Sequence, residues 1–281
     1  MVESTIVWIL ICTFISNSAY ALVAPFLPLE FETKGISDYY IGLIFAIYSV
    51  AVVIISPVIG MVVSKLGTTN LIAGGIAIMG LSFVCFGFVE FLERQFSILA
   101  LGFVLRFIQG ASSAFVQTTC YSIATNDFPE KKEMIVGYVE AMTGLGLIVG
   151  PIIGSTLYSF FGYSYTFFIY GAFLVFLAAL IKCNFPQKPD LSQLRDDLSG
   201  HLLENSDYIL EDAPNAELIK DMNYKSTNIS EIGVEKVTYC TLLKRARFTM
   251  AAFSSALCYF TYSFMEPILA QRLIEFNLTT M

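Results

Sequence analysis

The stretch GLGLIVGPIIGS, residues 144–155, carries four glycines and a proline in a segment without a single charged residue. Both residue types destabilise a helix in water, whereas small residues in a membrane helix let neighbouring backbones approach closely. Gly146, Gly150 and Gly154 are four residues apart and therefore form one ridge of a helix. Pro151 leaves a carbonyl one turn earlier without its donor, so the helix can bend there. The stretch predicts a close-packed, bendable transmembrane helix.

The same apolar character extends over long blocks of the chain. Hydrophobic residues make up 56% of the 281 residues and charged residues 14%, far from the composition of a soluble domain. A bilayer crossing needs roughly 20 apolar residues. The block 134–181 is long enough for two crossings, with Phe161-Gly162-Tyr163 as the turn. The sequence predicts an all-α integral membrane protein with seven spans, near residues 6–29, 41–63, 70–90, 96–124, 134–158, 164–183 and 248–270.

The first of these spans has an alternative interpretation as a cleaved signal peptide. Its first residues, Met1-Val2-Glu3, contain no basic side chain. The apolar run that follows is also longer than the hydrophobic region of a signal peptide. We therefore expect a true membrane span.

Three regions follow from the order of the blocks. Residues 1–183 are expected to form an N-terminal six-span bundle. Residues 184–246 hold 11 of the 23 acidic residues and show little apolar periodicity, which is typical of a flexible linker. Residues 247–281 carry the seventh span and the start of a second half.

The distribution of lysine and arginine predicts the orientation. If the N-terminus is cytoplasmic, twelve basic residues lie in cytoplasmic segments and three on the opposite side. Basic residues prefer the cytoplasmic side of a membrane. A multi-pass protein with a cytoplasmic N-terminus and a cytoplasmic linker is therefore expected.

Residues suited to catalysis or metal binding do not cluster in the sequence. The six cysteines are scattered, and the single histidine, His201, lies in the acidic linker. We find no nucleophile–base set, phosphate-binding glycine loop or zinc-ligand spacing. The sequence therefore predicts no enzymatic activity, no metal, no cofactor and no nucleic-acid partner.

The seventh span is similar to the first. Placing Pro267 over Pro25 aligns Tyr262 with Tyr20, and an identical leucine follows two residues after each proline. A repeated span after six spans and a long loop predicts a six-plus-six architecture. In that register the eighth span would begin at about residue 283, so the chain is expected to end within its second half.

Three further stretches carry a family resemblance. LRFIQGASSA (105–114), with Arg106, Gln109 and Gly110, resembles the arginine and Gln-Gly motif of the major facilitator superfamily, and GLGLIVGPIIG (144–154) resembles its antiporter motif. GMVVSKLGTT (60–69) partly matches the signature loop that begins at Gly60, with Ser64 where an acid is expected. The resemblance implies the major facilitator fold and secondary transport.

A closer resemblance is to the vesicular amine transporter family, especially its polyamine-type branch. It rests on FETKGISDYYIGLIF (31–45), VEAMTGLGLIVGP (139–151) and FMEPILAQRLIEFNL (264–278). Monoamine and acetylcholine members place an acid at the position of Ser16. The chain has Asn17 after it and no acid.

The resemblance implies that the glycine ridge of the fifth span works at a moving interface with helices of the second half. The alternative is simple tight packing in a static bundle. Ser56, Gly60 and Ser64 form a similar ridge on the second span.

Arg106 lies about ten residues into an apolar span, where a charge costs at least roughly 2.5–3.5 kcal/mol and should face protein or water. The resemblance implies a role in proton coupling along the translocation path. The alternative is an arginine that binds carbonyls and joins two helices.

Glu140 lies one to two turns into the fifth span. Two roles remain open for it: titration during transport, or a pair with a basic residue such as Lys65 that holds a cytoplasmic gate shut. We favour the gate.

Glu266, beside Pro267, is suited to attract a cationic solute or carry a proton, and its alternative is an interfacial acid whose carboxylate reaches the bilayer surface. Asn17 and Tyr20 are three residues apart and share a helix face, as polar pocket residues would. A plain interhelical hydrogen bond is the alternative for that pair.

Together these features predict a secondary active transporter that exchanges a small organic solute, such as a cationic amine or polyamine, for protons by alternating access. The expected membrane is vesicular, vacuolar or plasma. The alternative is a truncated membrane protein that does not transport and acts as a regulatory partner or is an incomplete product.

Overall fold

The computed structural model describes residues 2–185 and, further along the chain, residues 249, 250, 253, 254 and 257. These last five are all helical. The predicted linker and almost all of the predicted seventh span, including Glu266, lie outside the described residues. The helices are α1 (Val2–Leu22), α2 (Leu27–Thr33), α3 (Asp38–Leu66), α4 (Thr68–Gly87), α5 (Gln95–Asn126) and α6 (Lys132–Asn184), with a 3-10 turn at Phe88–Phe91.

Five helical stretches of the described residues are long and apolar enough to cross a membrane, namely Ser4–Thr33, Asp38–Val63, Thr68–Phe91, Gln95–Asn126 and Lys132–Asn184. The last has 53 residues, which is about 80 Å of helix and more than twice a hydrocarbon core of roughly 30 Å. Gly162 interrupts it with φ 77° and ψ −173°. The turn predicted at Phe161-Gly162-Tyr163 is therefore confirmed, and α6 consists of two segments. We call them α6a (132–161) and α6b (163–184).

The first predicted span is longer than expected and is broken. Helix α1 ends at Leu22, and α2 resumes at Leu27 and runs to Thr33. Pro25 lies in the break, and Pro28 occupies the first turn of α2. Proline has no backbone N–H and is tolerated in the first turn of a helix but not in its interior. The two prolines account for the break.

The glycine ridge of α6a packs against α1. A Cβ added at Gly146 or Gly150 would lie 2.6 Å from the carbonyl oxygen of Phe14 or Ser18, respectively. At Gly154 it would lie 2.1 Å from the Leu22 carbonyl oxygen. The close approach predicted from the spacing is confirmed.

The ridge's neighbour among the described residues is α1. All three glycines meet its carbonyls, and α1 belongs to the same bundle. The reason is geometric: the carbonyls of α1 that meet the ridge recur every four residues, as the glycines do, so the two backbones fit along their length. Helices of a second half lie almost entirely outside the described residues, so their contact with the ridge stays a prediction.

Close backbone contacts at glycines also join other helices of the bundle. Gly80 of α4 and Gly171 of α6b approach one another's carbonyl oxygens, each to 2.8 Å from the added Cβ. Gly110 of α5 meets the Tyr48 carbonyl of α3 at 2.3 Å. On α3, by contrast, Gly60 is exposed and Ser56 half-buried, so the described residues provide no close partner for that ridge.

The helices alternate in direction, so the loops fall at two ends of the bundle. We call the end at the α3–α4 and α5–α6 loops the Gly67 end. The opposite end, which contains Lys34, the 3-10 turn and Gly162, is called the Glu90 end.

Candidate functional site

One face of α5 carries polar side chains through the interior of the bundle. Arg106, Ser113, Gln117 and Tyr121 follow one another at spacings of seven, four and four residues, which places them on one face of a helix. They meet polar side chains of α1 and α6a. We call the set the polar seam: Ser16, Asn17, Arg106, Ser113, Gln117, Tyr121, Glu140 and Thr143.

Arg106 is fully buried nearest the Glu90 end of the seam. It lies 11 residues beyond the start of α5 at Gln95, or roughly 17 Å along the helix. Its Nη1 donates to Oε1 of Gln109 over 3.2 Å, and its guanidinium lies 4.7 Å from the centre of the Phe45 ring of α3. The charge is thus held between an amide oxygen and an aromatic face, and a ring face attracts a cation.

Tyr20 lies beside this region on α1. Its ring centre is 4.5 Å from that of Tyr48, the residue whose carbonyl oxygen meets Gly110. Two tyrosines on consecutive membrane spans therefore form an aromatic pair between α1 and α3.

Asn17 lies at the centre of a hydrogen-bond network. Its Nδ2 donates to the Thr13 carbonyl at 2.8 Å and to Thr143 Oγ1 at 3.5 Å. Nε2 of Gln117 donates to Asn17 Oδ1 at 3.4 Å and to Ser113 Oγ at 2.9 Å. The network joins α1, α5 and α6a.

Ser16 ends this network. The resemblance to the vesicular amine transporters leads one to expect an acid at this position. Ser16 is fully buried, and its Oγ is 3.2 Å from Ser113 Oγ. The chain thus places a neutral hydroxyl pair at this buried position.

Glu140 lies at the Gly67 end of the seam. Its Oε1 accepts a hydrogen bond from the Tyr121 hydroxyl at 2.7 Å. The side chain of Lys65, the predicted gate partner, lies outside the described residues, so the pair stays a prediction. The same holds for Glu266, which the structure does not describe.

Two clusters fasten the ends of the bundle outside the seam. At the Gly67 end, Lys182 of α6b donates to Asn70 Oδ1, and Asn70 Nδ2 donates to the Leu66 carbonyl at 3.1 Å. Lys182 therefore fastens α6b to the loop that resembles the superfamily signature.

At the Glu90 end, the Glu90 carboxylate accepts from the backbone N–H of Ser164 at 3.1 Å and from its hydroxyl. Lys34 Nζ donates to the Glu90 carbonyl at 2.6 Å, and Gln95 Nε2 to the Lys34 carbonyl at 3.1 Å. These hydrogen bonds link the three interhelical connections at this end, namely α2–α3, α4–α5 and α6a–α6b.

Sequence reasoning identified Arg106, Asn17 and Glu140, which the structure places in the seam. It also identified Gln109, which accepts from Arg106, and Tyr20, which packs against Tyr48. It missed Ser113, Gln117, Tyr121 and Thr143. The signal that could have found the first three is the four-residue spacing of polar side chains in an apolar helix. Among residues 2–185, no three His, Cys, Asp or Glu side chains are arranged to hold a metal ion.

Comparison with known proteins places this seam in a family context. The Major Facilitator Superfamily model matches residues 9–281. The MFS-type transporter SLC18B1 of Rattus norvegicus is 30% identical over 167 residues, 59% of this chain and 37% of that protein. The multi-drug resistance efflux pump PmrA of Streptococcus pneumoniae is 27% identical over 177 residues, 61% of this chain and 42% of that protein. The vesicular acetylcholine transporter of Mus musculus is 28% identical over 168 residues, 59% of this chain and 29% of that protein.

Proposed function

The chain belongs to the major facilitator superfamily, and from this premise we propose that it moves a small organic solute across a membrane in exchange for protons. It is an all-helical, multi-pass membrane protein, and it is similar to transporters of the vesicular amine family and to multidrug efflux pumps. The matches span 29 to 42% of the length of these relatives. Exchange, solute and proton coupling are therefore proposals for this chain.

The polar seam is the observation that carries the proposal. A fully buried arginine and a network of amides and hydroxyls lie inside a bundle whose buried side chains are otherwise mainly hydrophobic. Polar and ionisable groups at membrane depth are costly and mark the paths of solutes and ions. A bundle that only had to be stable could fill this space with apolar side chains instead.

Proton coupling is proposed to involve Arg106 together with Glu266. The arginine supplies a fixed positive charge beside the path. The Glu266 carboxylate would bind either a proton or the cationic solute, so that the two would exclude one another. The amine or polyamine class is supported by the resemblance to the vesicular amine transporters and by the name of the vesicular acetylcholine transporter.

Alternating access is proposed to move α1 and α6a as one body. The backbones of the two helices are in contact at three glycines, which resists sliding between them. Pro151 lies between the second and third contact, so bending there would change the direction of the Glu90 end of α6a. The vesicular, vacuolar or plasma membrane is the proposed location.

Uptake by purified protein in proteoliposomes tests the function. A pH gradient, acidic inside, should drive accumulation of a radiolabelled amine, and added solute should collapse the gradient. Arg106→Ala should abolish the solute-driven pH change. Phe107→Leu, on the exposed neighbouring face of the same helix, is the matched control and should keep it.

Two results would count against the proposal. Unchanged coupling in Arg106→Ala would remove the arginine from the mechanism. Absence of uptake for every amine, acid and neutral solute tested would favour the alternative, a membrane protein that does not itself transport.

A further inference from the structure

We propose that Gln117 recognises the solute through its carbonyl oxygen, and that the described half of the site selects N–H or O–H donors irrespective of charge. The inference rests on the proposed transport function and deepens it. The direction of the hydrogen bonds around Asn17 fixes which atom of Gln117 faces away from the network.

The Thr13 carbonyl sets that direction. A backbone carbonyl only accepts, so the Asn17 atom 2.8 Å from it must be the amide nitrogen. The other atom of the Asn17 amide is then the oxygen, which can only accept. The Gln117 atom 3.4 Å from this oxygen must therefore be its nitrogen.

The hydroxyl side of the network agrees with this assignment. The same Gln117 nitrogen lies 2.9 Å from Ser113 Oγ. Ser113 thus accepts from Gln117, and its Oγ lies 3.2 Å from that of Ser16, a pair in which either hydroxyl can be the donor. Both hydrogens of the Gln117 amide are thus used inside the protein.

The carbonyl oxygen of Gln117 is left open. It makes no hydrogen bond to any residue that the structure describes, and the side chain is half-buried, in contrast to the fully buried Ser113 and Ser16. The hydrogen bonds that begin at the Thr13 carbonyl use both amide hydrogens of Gln117 and leave its carbonyl oxygen as an acceptor. Such an acceptor is complementary to a donor on a solute.

The charges of the seam explain why donor recognition does not require a cation. Among the side chains described in residues 2–185, the one buried charge is that of Arg106, which is positive. Glu140 is exposed at the Gly67 end and bonded to Tyr121. Ser16 is a buried hydroxyl and carries no charge. The acceptor offered at the centre of the seam is therefore neutral.

Two solutes of equal charge separate donor recognition from charge recognition. Phenethylamine carries three N–H donors, and phenethyltrimethylammonium carries none. In the full chain in proteoliposomes, wild type should show a KM for the primary amine at least tenfold below that for the trimethyl analogue. Gln117→Leu should raise the first KM about tenfold, leave kcat nearly unchanged and leave the second KM as it was.

The trimethyl analogue also serves as a folding control, because a misfolded variant would lose transport of both solutes. Gln117→Asn, which keeps an amide on a shorter side chain, should lie between wild type and Gln117→Leu. A KM for the primary amine that does not change in Gln117→Leu overturns the inference while leaving the proposed transport intact.

A second measurement does not depend on transport. In a chain whose native cysteines have been replaced, Gln117→Cys should react with the membrane-impermeant trimethylammonium-ethyl methanethiosulfonate at least ten times faster than Val116→Cys, whose native side chain is fully buried. If wild type carries neither solute, the proposed function fails for amines, and this measurement still decides the inference. Fast labelling supports an acceptor on a water-filled path, and equal rates overturn it.

Discussion

A Cβ placed on Gly154 would lie 2.1 Å from the carbonyl oxygen of Leu22, closer than at any other glycine of the ridge. Real Cβ atoms do not approach a carbonyl oxygen this closely, so an alanine there must push α1 and α6a apart. Overpacking of this kind typically costs about 1–3 kcal/mol. We expect Gly154→Ala to lower the melting temperature of the detergent-solubilised protein most, with Gly146→Ala and Gly150→Ala lowering it less.

Gly144→Ala is the matched control. It lies in the same helix two residues before the ridge, and an added Cβ would meet nothing within 4 Å. Its melting temperature should equal or exceed that of wild type, because alanine is the better helix former. If Gly144→Ala and Gly154→Ala melt alike, the ridge does not determine the packing of α1.

The ridge also shows what spacing can and cannot predict. Three glycines at intervals of four define a face and a close approach, because both are properties of one helix. Which helix packs against that face is not a property of the one helix. It depends on which carbonyls of another segment match the interval, and here these are the carbonyls of Phe14, Ser18 and Leu22 in α1.

A second prediction concerns Glu90, whose carboxylate binds the backbone N–H of Ser164 at 3.1 Å at the start of α6b. A carboxylate at a helix N-terminus satisfies an otherwise unpaired donor and interacts favourably with the helix dipole. Glu90→Ala should therefore cost about 1 kcal/mol, as the loss of a helix cap typically does. Ser164→Ala keeps the backbone N–H and should cost less.

Thermal unfolding followed by tryptophan fluorescence measures both variants, and Glu93→Gln is their control. Glu93 is an exposed acid three residues further along and makes no hydrogen bond to the described residues. Its replacement should leave the melting temperature unchanged. A Glu90→Ala variant as stable as Glu93→Gln would show that the cap contributes nothing to α6b.

The contrast between Glu90 and the spans explains which parts of the molecule were predictable. Charge-free blocks and a glycine turn at 162 are local, and they located the helices. Glu90 and Ser164 are 74 residues apart, and Gln117 and Asn17 are 100 apart. Such pairs exist only once the helices have packed. The four-residue interval from Ser113 to Gln117 to Tyr121 was a visible signal for the polar face, but it could not name Asn17 as the partner.

A third prediction concerns the proposed topology, in which residues 184–246 are a cytoplasmic linker. Asn228-Ile229-Ser230 is a glycosylation acceptor sequence, and such sequences are modified only on the non-cytoplasmic side. Asn228 should therefore carry no glycan when the protein is expressed in mammalian cells. Wild type and Asn228→Gln should show the same change, or the same lack of change, in gel mobility on glycosidase treatment. A glycosidase-dependent mobility shift that is present in wild type and disappears in Asn228→Gln would reverse the proposed orientation.

The last prediction concerns the gate proposed at Glu140. Its carboxylate accepts from the Tyr121 hydroxyl at 2.7 Å, so α5 holds it in place near the Gly67 end, where α3, the helix that contains Lys65, ends. If the two charges pair when this end is closed, removing either one should destabilise the closed form. Glu140→Gln and Lys65→Gln should then each increase labelling of Gln117→Cys by the impermeant thiol reagent from the side of the Gly67 end.

A double-mutant cycle separates a pair from two independent effects. With a pair, the double variant Glu140→Gln/Lys65→Gln should be labelled no faster than either single variant, because the interaction is already lost in each. Lys131→Gln, an exposed lysine at the same end, is the control for a general change of surface charge and should not alter the rate. Additive increases would contradict the pair and leave titration as the role of Glu140.

Tyr121→Phe removes the hydrogen bond to Glu140 and keeps both charges. It should increase the labelling rate less than Glu140→Gln does, since a carboxylate that is no longer positioned still attracts the lysine.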